Sequence, residues 1–225
     1  MKKKFIIAIP ARYGSKSIKN KNIIKINSLP MISHTFEKIK SLKIPKFVLS
    51  NDKRVLNIAK KYKVICSYKR PNKVSTDKSS TMSLLKNFHK YAKKNYNYDY
   101  IVLLQPTSPI RNQKDIINSI NKVKKDKLLK LTSLSKSLEH PYETVYLKNR
   151  TFLSFFPKKS LTRRQDFDKE SYFINGSLYI YHKSLIEGKK INNIDKNGFY
   201  VMKKINSFDI DDYEDLEIVR KIIKK

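Results

Sequence analysis

Cysteine is all but missing from this sequence. Cys66 stands alone among 225 residues, which excludes an internal disulfide and a cysteine-based metal cage and points to a reducing, cytoplasmic compartment. Glycine is scarce as well, at four, and no glycine- or serine-rich linker divides the chain. Long apolar stretches are absent too. The basic opening MKKKFIIAIP stops at Pro10 and Arg12 follows, too short for a secretory core of about 7–15 apolar residues, and nothing approaches the ~20 of a membrane span. His34, His89 and His182 have no acidic or cysteine neighbours at ligand spacing, so no zinc site is expected.

Acidic residues are few: 19 against 50 Lys and Arg, a net charge of +31. Such an excess points to a polyanionic partner. Removing the eight Arg from the 50 leaves 42 Lys, however, and these run evenly along the chain instead of gathering on one helix or face. That dispersion fits a lysine-rich composition better than a nucleic-acid footprint, and no specific nucleic-acid partner is expected. A hydrophobic content of 40% is enough for residues 1–225 to bury one core as one domain.

Short β-rich runs alternate with amphipathic segments over the first 135 residues, the pattern of a parallel sheet with crossover helices. Strands are predicted at Phe5 to Ile9, Lys46 to Ser50, Val64 to Ser67, Tyr100 to Gln105 and Leu128 to Ser135. Helices are predicted at Met31 to Leu42, Asp52 to Tyr62, Thr81 to Asn95 and Gln113 to Lys125. The continuous run YIVLL at 100–104 predicts a central strand covered on both faces. The rhythm breaks over residues 138–170, which read as an arm inserted into the sheet order. It resumes with strands at Tyr172 to Tyr181 and Phe199 to Ile205, a short helix near Lys183 to Ile186, and a last helix from Tyr213 to Lys224.

Three places carry chemistry. The first strand runs into PARYGSK at 10–16, followed by Lys19, Lys21 and Asn22. At the carboxyl end of a strand, a loop with Gly14, free N–H groups and several cations suits a triphosphate, although a basic surface turn would look similar. Arg12 is the harder residue to dismiss, because arginine is scarce here and its planar fork grips phosphate oxygens in pairs. The central strand exits into QPTSPIR at 105–111, where two prolines stiffen a loop that can present Gln105 and Arg111 to the same crevice. The plainer reading is that Thr107 and Ser108 cap the helix starting at Gln113. Late in the chain, Asp209 and Asp211 alternate around Ile210, so both carboxylates can face one side and share a Mg²⁺; alternatively they cap the helix near Tyr213.

Taken together, IPARYGSKSIKNKN at 9–22, SND at 50–52, RP at 70–71, STDKSST at 75–81, LLQPTSPIR at 103–111, HP at 140–141, NGSLYIY at 175–181 and FDIDDYEDL at 208–216 resemble the CMP-N-acylneuraminate cytidylyltransferases, including relatives that activate legionaminic and pseudaminic acids. The resemblance covers most of the chain in order. It implies a Rossmann-like α/β nucleotidyltransferase domain, a mostly parallel sheet flanked by helices with a protruding dimerisation arm. It also implies a Mg²⁺-dependent reaction of CTP with a nine-carbon sugar acid to give a CMP-sugar and pyrophosphate, carried out by a homodimer.

By that resemblance Arg12 and Lys21 hold the CTP phosphates, with Gly14, Ser15, Lys16 and Asn22 in the same loop, and Arg70, Ser79 and Thr81 lie around cytosine and ribose. Gln105, Arg111, Asn175 and Arg164 face the sugar acid. Asp209 and Asp211 hold the metal, and Arg12, Lys21 and Asp211 act in the transfer itself. Two departures bear on the substrate. Ser17 stands where the family usually has glycine, and Tyr142, Glu143 and Thr144 follow His140-Pro141 where sialic-acid members commonly place a lysine. The second favours a related nonulosonic acid over N-acetylneuraminate. The 3-deoxy-manno-octulosonate cytidylyltransferases, which share the PARYGS opening, rank second, ahead of a basic nucleic-acid-binding protein on the same scaffold.

Overall fold

The computed structural model describes residues 3–15, 17–149, 151–154, 170–190 and 194–223, the side chains of 148 and 152 excepted. Its strands are β1 (Phe5–Ala11), β2 (Lys25–Ile26), β3 (Leu29–Pro30), β4 (Lys46–Ser50), β5 (Tyr100–Leu104), β6 (Lys130–Lys136), β7 (Val145–Lys148), β8 (Thr151–Ser154), β9 (Tyr172–His182) and β10 (Asn197–Val201). Its helices are α1 (Met31–Ile39), α2 (Lys53–Lys61), α3 (Thr81–Asn95), α4 (Gln113–Lys125), α5 (Lys183–Ile186) and α6 (Tyr213–Ile222).

Six strands form the central sheet in the order β10-β6-β9-β5-β1-β4. β1 pairs in parallel with β4 and β5, and β10 in parallel with β6. Only β9 runs against its neighbours, β5 and β6, so the sheet is mostly parallel with one reversed strand. Alternation along β1 and β5 explains the covering of both faces. Ile7, Ile9, Val102 and Leu104 belong to a core shared with α1 and α4, whereas Ile6, Ala8, Ile101 and Leu103 pack toward α3.

Helix starts follow local side-chain chemistry. Asp52 accepts from the N–H of Arg54 at 2.9 Å, Ser80 from that of Ser83 at 3.1 Å, and Asn112 from that of Asp115 at 2.8 Å, each satisfying a donor that the helix leaves open. Thr107 and Ser108 therefore do not cap α4; Asn112 does, in a reciprocal box with Asp115. The strand predicted at Val64 to Ser67 is reduced to one parallel bridge, Phe47 to Ile65. That predicted for Phe199 to Ile205 ends at Val201, because the chain turns through a 3₁₀ turn at Lys204–Ser207 closed by the Ser207 hydroxyl on Lys204 O at 2.8 Å.

The described part of the 138–170 excursion contains a 3₁₀ turn at Pro141–Glu143 and the hairpin β7–β8. No described helix is long and apolar enough to cross a membrane.

A third, smaller core joins distant parts of the chain. Ile18 from the loop after β1, Ile26 of β2, Met31 of α1, Ile210, and Leu216 and Val219 of α6 are buried together. Each such side chain contributes roughly 1.5–3 kcal/mol by leaving water. The cluster clamps the early basic loop to the late acidic segment, with Ile210 as the rivet between Asp209 and Asp211.

Candidate active site

Ligands of open α/β sheets bind beyond the carboxyl ends of the strands. Here the exits of β1 and β5 and the segment before α3 enclose a polar cavity of about 250 Å³. Arg12, Gly14, Ser15, Lys21 and Asn22 line it from the first loop, Arg70, Asp77 and Ser79 from the segment before α3, Thr81 from the start of α3, and Gln105 and Thr107 from the β5 exit. The structure thus brings together Arg12, Gly14, Ser15, Lys21, Asn22, Arg70, Ser79, Thr81 and Gln105 of the residues singled out in the sequence. Lys16 and Arg164 lie outside the described residues.

The first loop is held in shape from several sides. The Tyr13 N–H donates to Asn51 Oδ1 at 2.7 Å, Asn22 Nδ2 to Arg12 O at 3.0 Å, and Arg54 Nη2 to Asn20 Oδ1 at 3.0 Å. Gly14 sits at φ +75°, a left-handed conformation that a side chain strains. These ties leave the Arg12 and Lys21 heads turned into the cavity. The Arg70 guanidinium reaches Val74 O through Nε at 3.1 Å and Nη2 at 2.7 Å, and Leu49 O at 3.3 Å. Burial pulls it down to about 10, with the charge of Arg12 acting in the same direction.

Asp77 was not singled out from the sequence, although it stands in the STDKSST run. It lines the cavity and forms an ion pair with Arg12. An acid inside a cavity of cations supplies the counter-charge that two neighbouring arginines need when no anion is bound.

Asp209 and Asp211 are not lining residues of the cavity but are joined to residues that are, Lys21 and Thr107. Lys21 Nζ is 3.3 Å from Asp211 Oδ1 and 3.4 Å from its carbonyl oxygen. The Ser108 hydroxyl donates to Asp209 Oδ1 at 3.1 Å, and the N–H of Ile210 to Thr107 O at 2.9 Å. Burial raises the Asp209 carboxyl above its ordinary value; the hydroxyl of Thr107 opposes this and the neighbouring Asp211 adds to it. Capping of α6 falls elsewhere. Asp212 accepts from the N–H of Asp215 at 2.9 Å, while Asp215 accepts from those of Asp211 at 2.8 Å and Asp212 at 3.2 Å. Neither the Asp209 nor the Asp211 carboxylate is the α6 cap.

Two of the residues expected to face the sugar acid are buried. Arg111 is 1% exposed and is not among the lining residues of the cavity. Its Nη1 donates to Ser177 O at 2.6 Å and Gln105 O at 3.2 Å, and its Nη2 to Thr35 Oγ1 at 3.2 Å. A guanidinium offers five donors, and this one meets backbone and hydroxyl acceptors at the back of the loop. Burial lowers it to about 10. Asn175 is likewise buried: its Oδ1 accepts from the Ser133 hydroxyl at 2.6 Å and the Ser177 N–H at 3.2 Å, beside the irregularity in the pairing of β9 with β6. Both side chains fix the floor of the site.

The parallel-sheet exit thus holds a cation-lined cavity tied through Lys21 to a late acid. Residues 6–225 match the family model described as cytidylyltransferase. The chain belongs to that family. It is 31% identical over its whole length to an N-acylneuraminate cytidylyltransferase of Escherichia coli, of which it spans 53%. It is 28% identical to a pseudaminic acid cytidylyltransferase of Campylobacter jejuni, with 98% of this chain and 97% of that one covered. Among solved structures, a CMP:2-keto-3-deoxy-manno-octonic acid synthetase complexed with CTP superposes with a TM-score of 0.71 at 18% identity, covering 98% of each chain. This last likeness is one of fold.

Proposed function

We propose that this cytidylyltransferase joins CTP to a nonulosonic sugar acid, giving a CMP-sugar and pyrophosphate in the cytoplasm. The observation that carries the reading is the contact of Lys21 with Asp211, which joins the basic loop and the acid pair in one site. Relatives named for N-acylneuraminate and pseudaminic acid support the substrate class.

The sugar 2-hydroxyl attacks the α-phosphorus in line. A new P–O bond forms, the bond from the α-phosphorus to the bridging oxygen breaks, pyrophosphate leaves, and the hydroxyl proton passes to water. Arg12 and Lys21 hold the phosphates and meet the charge that grows on the leaving group. Gly14, Ser15 and Asn22 shape the same cradle, while Arg70, Ser79 and Thr81 lie toward the nucleoside and Gln105 toward the acid. On binding, the triphosphate takes over Arg12 from Asp77.

The donor set fits a hard divalent ion. Asp209 and Asp211 offer carboxylate oxygens, are spared from capping, and repel each other in the absence of a cation. No group of three or more His, Cys, Asp and Glu side chains that could hold a metal occurs among the described residues; Asp209 and Asp211 would hold such an ion together with oxygens of the substrate or water. When bound there, Mg²⁺ polarises the α-phosphate and eases loss of the hydroxyl proton.

Incubation with Mg²⁺, CTP and a panel of nine-carbon acids tests the reading through pyrophosphate release. Release with at least one such acid, and loss of release with ATP, GTP or UTP in place of CTP, is expected. Activity confined to the eight-carbon 3-deoxy-manno-octulosonate would replace the substrate class, and no activity with any acid would end the proposal.

The arm gives the reading of a homodimer. Leu147 at 82% and Ile174 at 62% exposure, with Tyr146, Leu153, Tyr172 and Phe173, leave an apolar surface on the hairpin and the start of β9, the kind of surface that a second copy covers. Light scattering should give twice the chain mass of 26.6 kDa, and the single mass would contradict it.

A further inference from the structure

Thr107 and Ser108 lie between two prolines and have the look of helix caps, yet Asn112 does that work. Their hydroxyls are free for another task. Ser108 is 0% exposed. The turn around it is closed by its own N–H on Gln105 O at 3.4 Å and by the Arg111 N–H on Ser108 O at 3.4 Å. Behind the turn, the Arg111 guanidinium ties Gln105 O to β9 and α1. From this fixed position the Ser108 hydroxyl donates to Asp209 Oδ1 at 3.1 Å, across 101 positions of sequence. The backbone seconds it, with the Ile210 N–H on Thr107 O at 2.9 Å.

A carboxylate with one oxygen engaged by an immobile donor loses its freedom to turn about the bond to Cβ. On the other side of Asp209, Oδ2 faces Gly176, where even an added Cβ would come no nearer than 3.6 Å. Ser108 therefore holds Oδ1, the Thr107 hydroxyl also reaches the carboxylate, and Oδ2 lies on the side of Gly176.

We propose that Ser108 is a positioning residue for Asp209, fixing the orientation in which the carboxylate meets the divalent ion of the nucleotide complex; this rests on the reading of Asp209 as a metal-holding group. Ser108 touches neither substrate nor metal, and its effect passes through Asp209 alone. Loss of a hydrogen bond to a charged acceptor corresponds to about 10- to 100-fold.

A double-mutant cycle tests it, with Ser108→Ala, Asp209→Asn and both together. Steady-state pyrophosphate release gives kcat and KM, and calorimetric titration of CTP is run once with Mg²⁺ and once with EDTA. Ser108→Ala should lower kcat by about 10-fold or more and weaken binding of CTP with Mg²⁺, while CTP affinity in EDTA stays within about 2-fold. In the Asp209→Asn background the same change should cost nothing further. Ser108→Cys keeps the volume but donates weakly, and should move in the same direction if the alanine variant folds poorly. Wild-type kcat in either Ser108 variant overturns the proposal, as does a full Ser108→Ala loss that persists in the Asp209→Asn background. If Asp209→Asn itself matches wild type, the metal reading fails together with this one, and that arm tells the two failures apart.

Discussion

Asp211→Ala is expected to lower the rate of cytidylyl transfer by about 1,000-fold or more while CTP still binds within about 3-fold of wild type. The separation of the two effects follows from where Asp211 stands. Its side chain is 82% exposed, outside the buried clusters and outside the α6 cap, so the fold loses little with it. On the proposed reading nucleotide affinity rests on Arg12, Lys21 and Arg70, which remain. Lys21 gains freedom once its partner at 3.3 Å is gone, and one negative charge fewer near a triphosphate favours binding slightly. What disappears is half of the carboxylate pair at the reacting phosphate. Single-turnover kinetics set beside equilibrium binding of CTP checks this, and turnover within about 10-fold of wild type would contradict it.

Arg111→Met is expected to act in the opposite manner, on stability first. The guanidinium is the donor for Ser177 O, Gln105 O and Thr35 Oγ1 in the interior, and its charge favours the nearby Asp115 and Asp209 carboxylates. Methionine fills much of the volume but removes a buried donor from all three acceptors, of which Ser177 O and Gln105 O keep a backbone N–H, and takes the nearby cation from two carboxylates. A total of about 3–5 kcal/mol corresponds to a fall in Tm of roughly 6–20 °C for a chain of this length. Arg111→Lys should fall between, since an ammonium keeps the charge without the fork. Scanning calorimetry decides, and an Arg111→Met midpoint within about 2 °C of wild type would show that the buried cation has no structural weight.

Much of the molecule is legible in the sequence alone, for identifiable reasons. The buried run YIVLL announces a strand covered on both faces, and the helices of the first half follow from spacing and caps such as Asp52 and Ser80, all local signals. Sequence motifs also mark the basic loop and the acid pair, but their meeting depends on Ile18 and Ile210 entering the same small core, a contact across the length of the chain. Arg111 shows what local reading misses. A lone arginine after a proline-rich loop looks like a ligand for an acid, and only the carbonyls delivered by β9 and the hydroxyl delivered by α1 turn it inward. The burial of Asn175 has no local mark, because the irregularity beside it arises only where β9 pairs with β6. The reversal of β9 has no local mark either, since YFINGSLYIYH reads alike in both directions. Asp77 could have been found. An acid in a serine- and threonine-rich loop of so cationic a chain is conspicuous once two arginines need neutralising, but the partner Arg12 lies on a separate element.

The central claim is that the early cations and the late acids grip one triphosphate around a divalent ion. A crystal structure with CTP and Mg²⁺ tests it most directly. The account predicts phosphates seated on Arg12 and Lys21, Asp77 displaced from Arg12, and the metal bridging Asp209 and Asp211 to the α-phosphate. Phosphates bound away from these side chains, or a metal held without either aspartate, would contradict it.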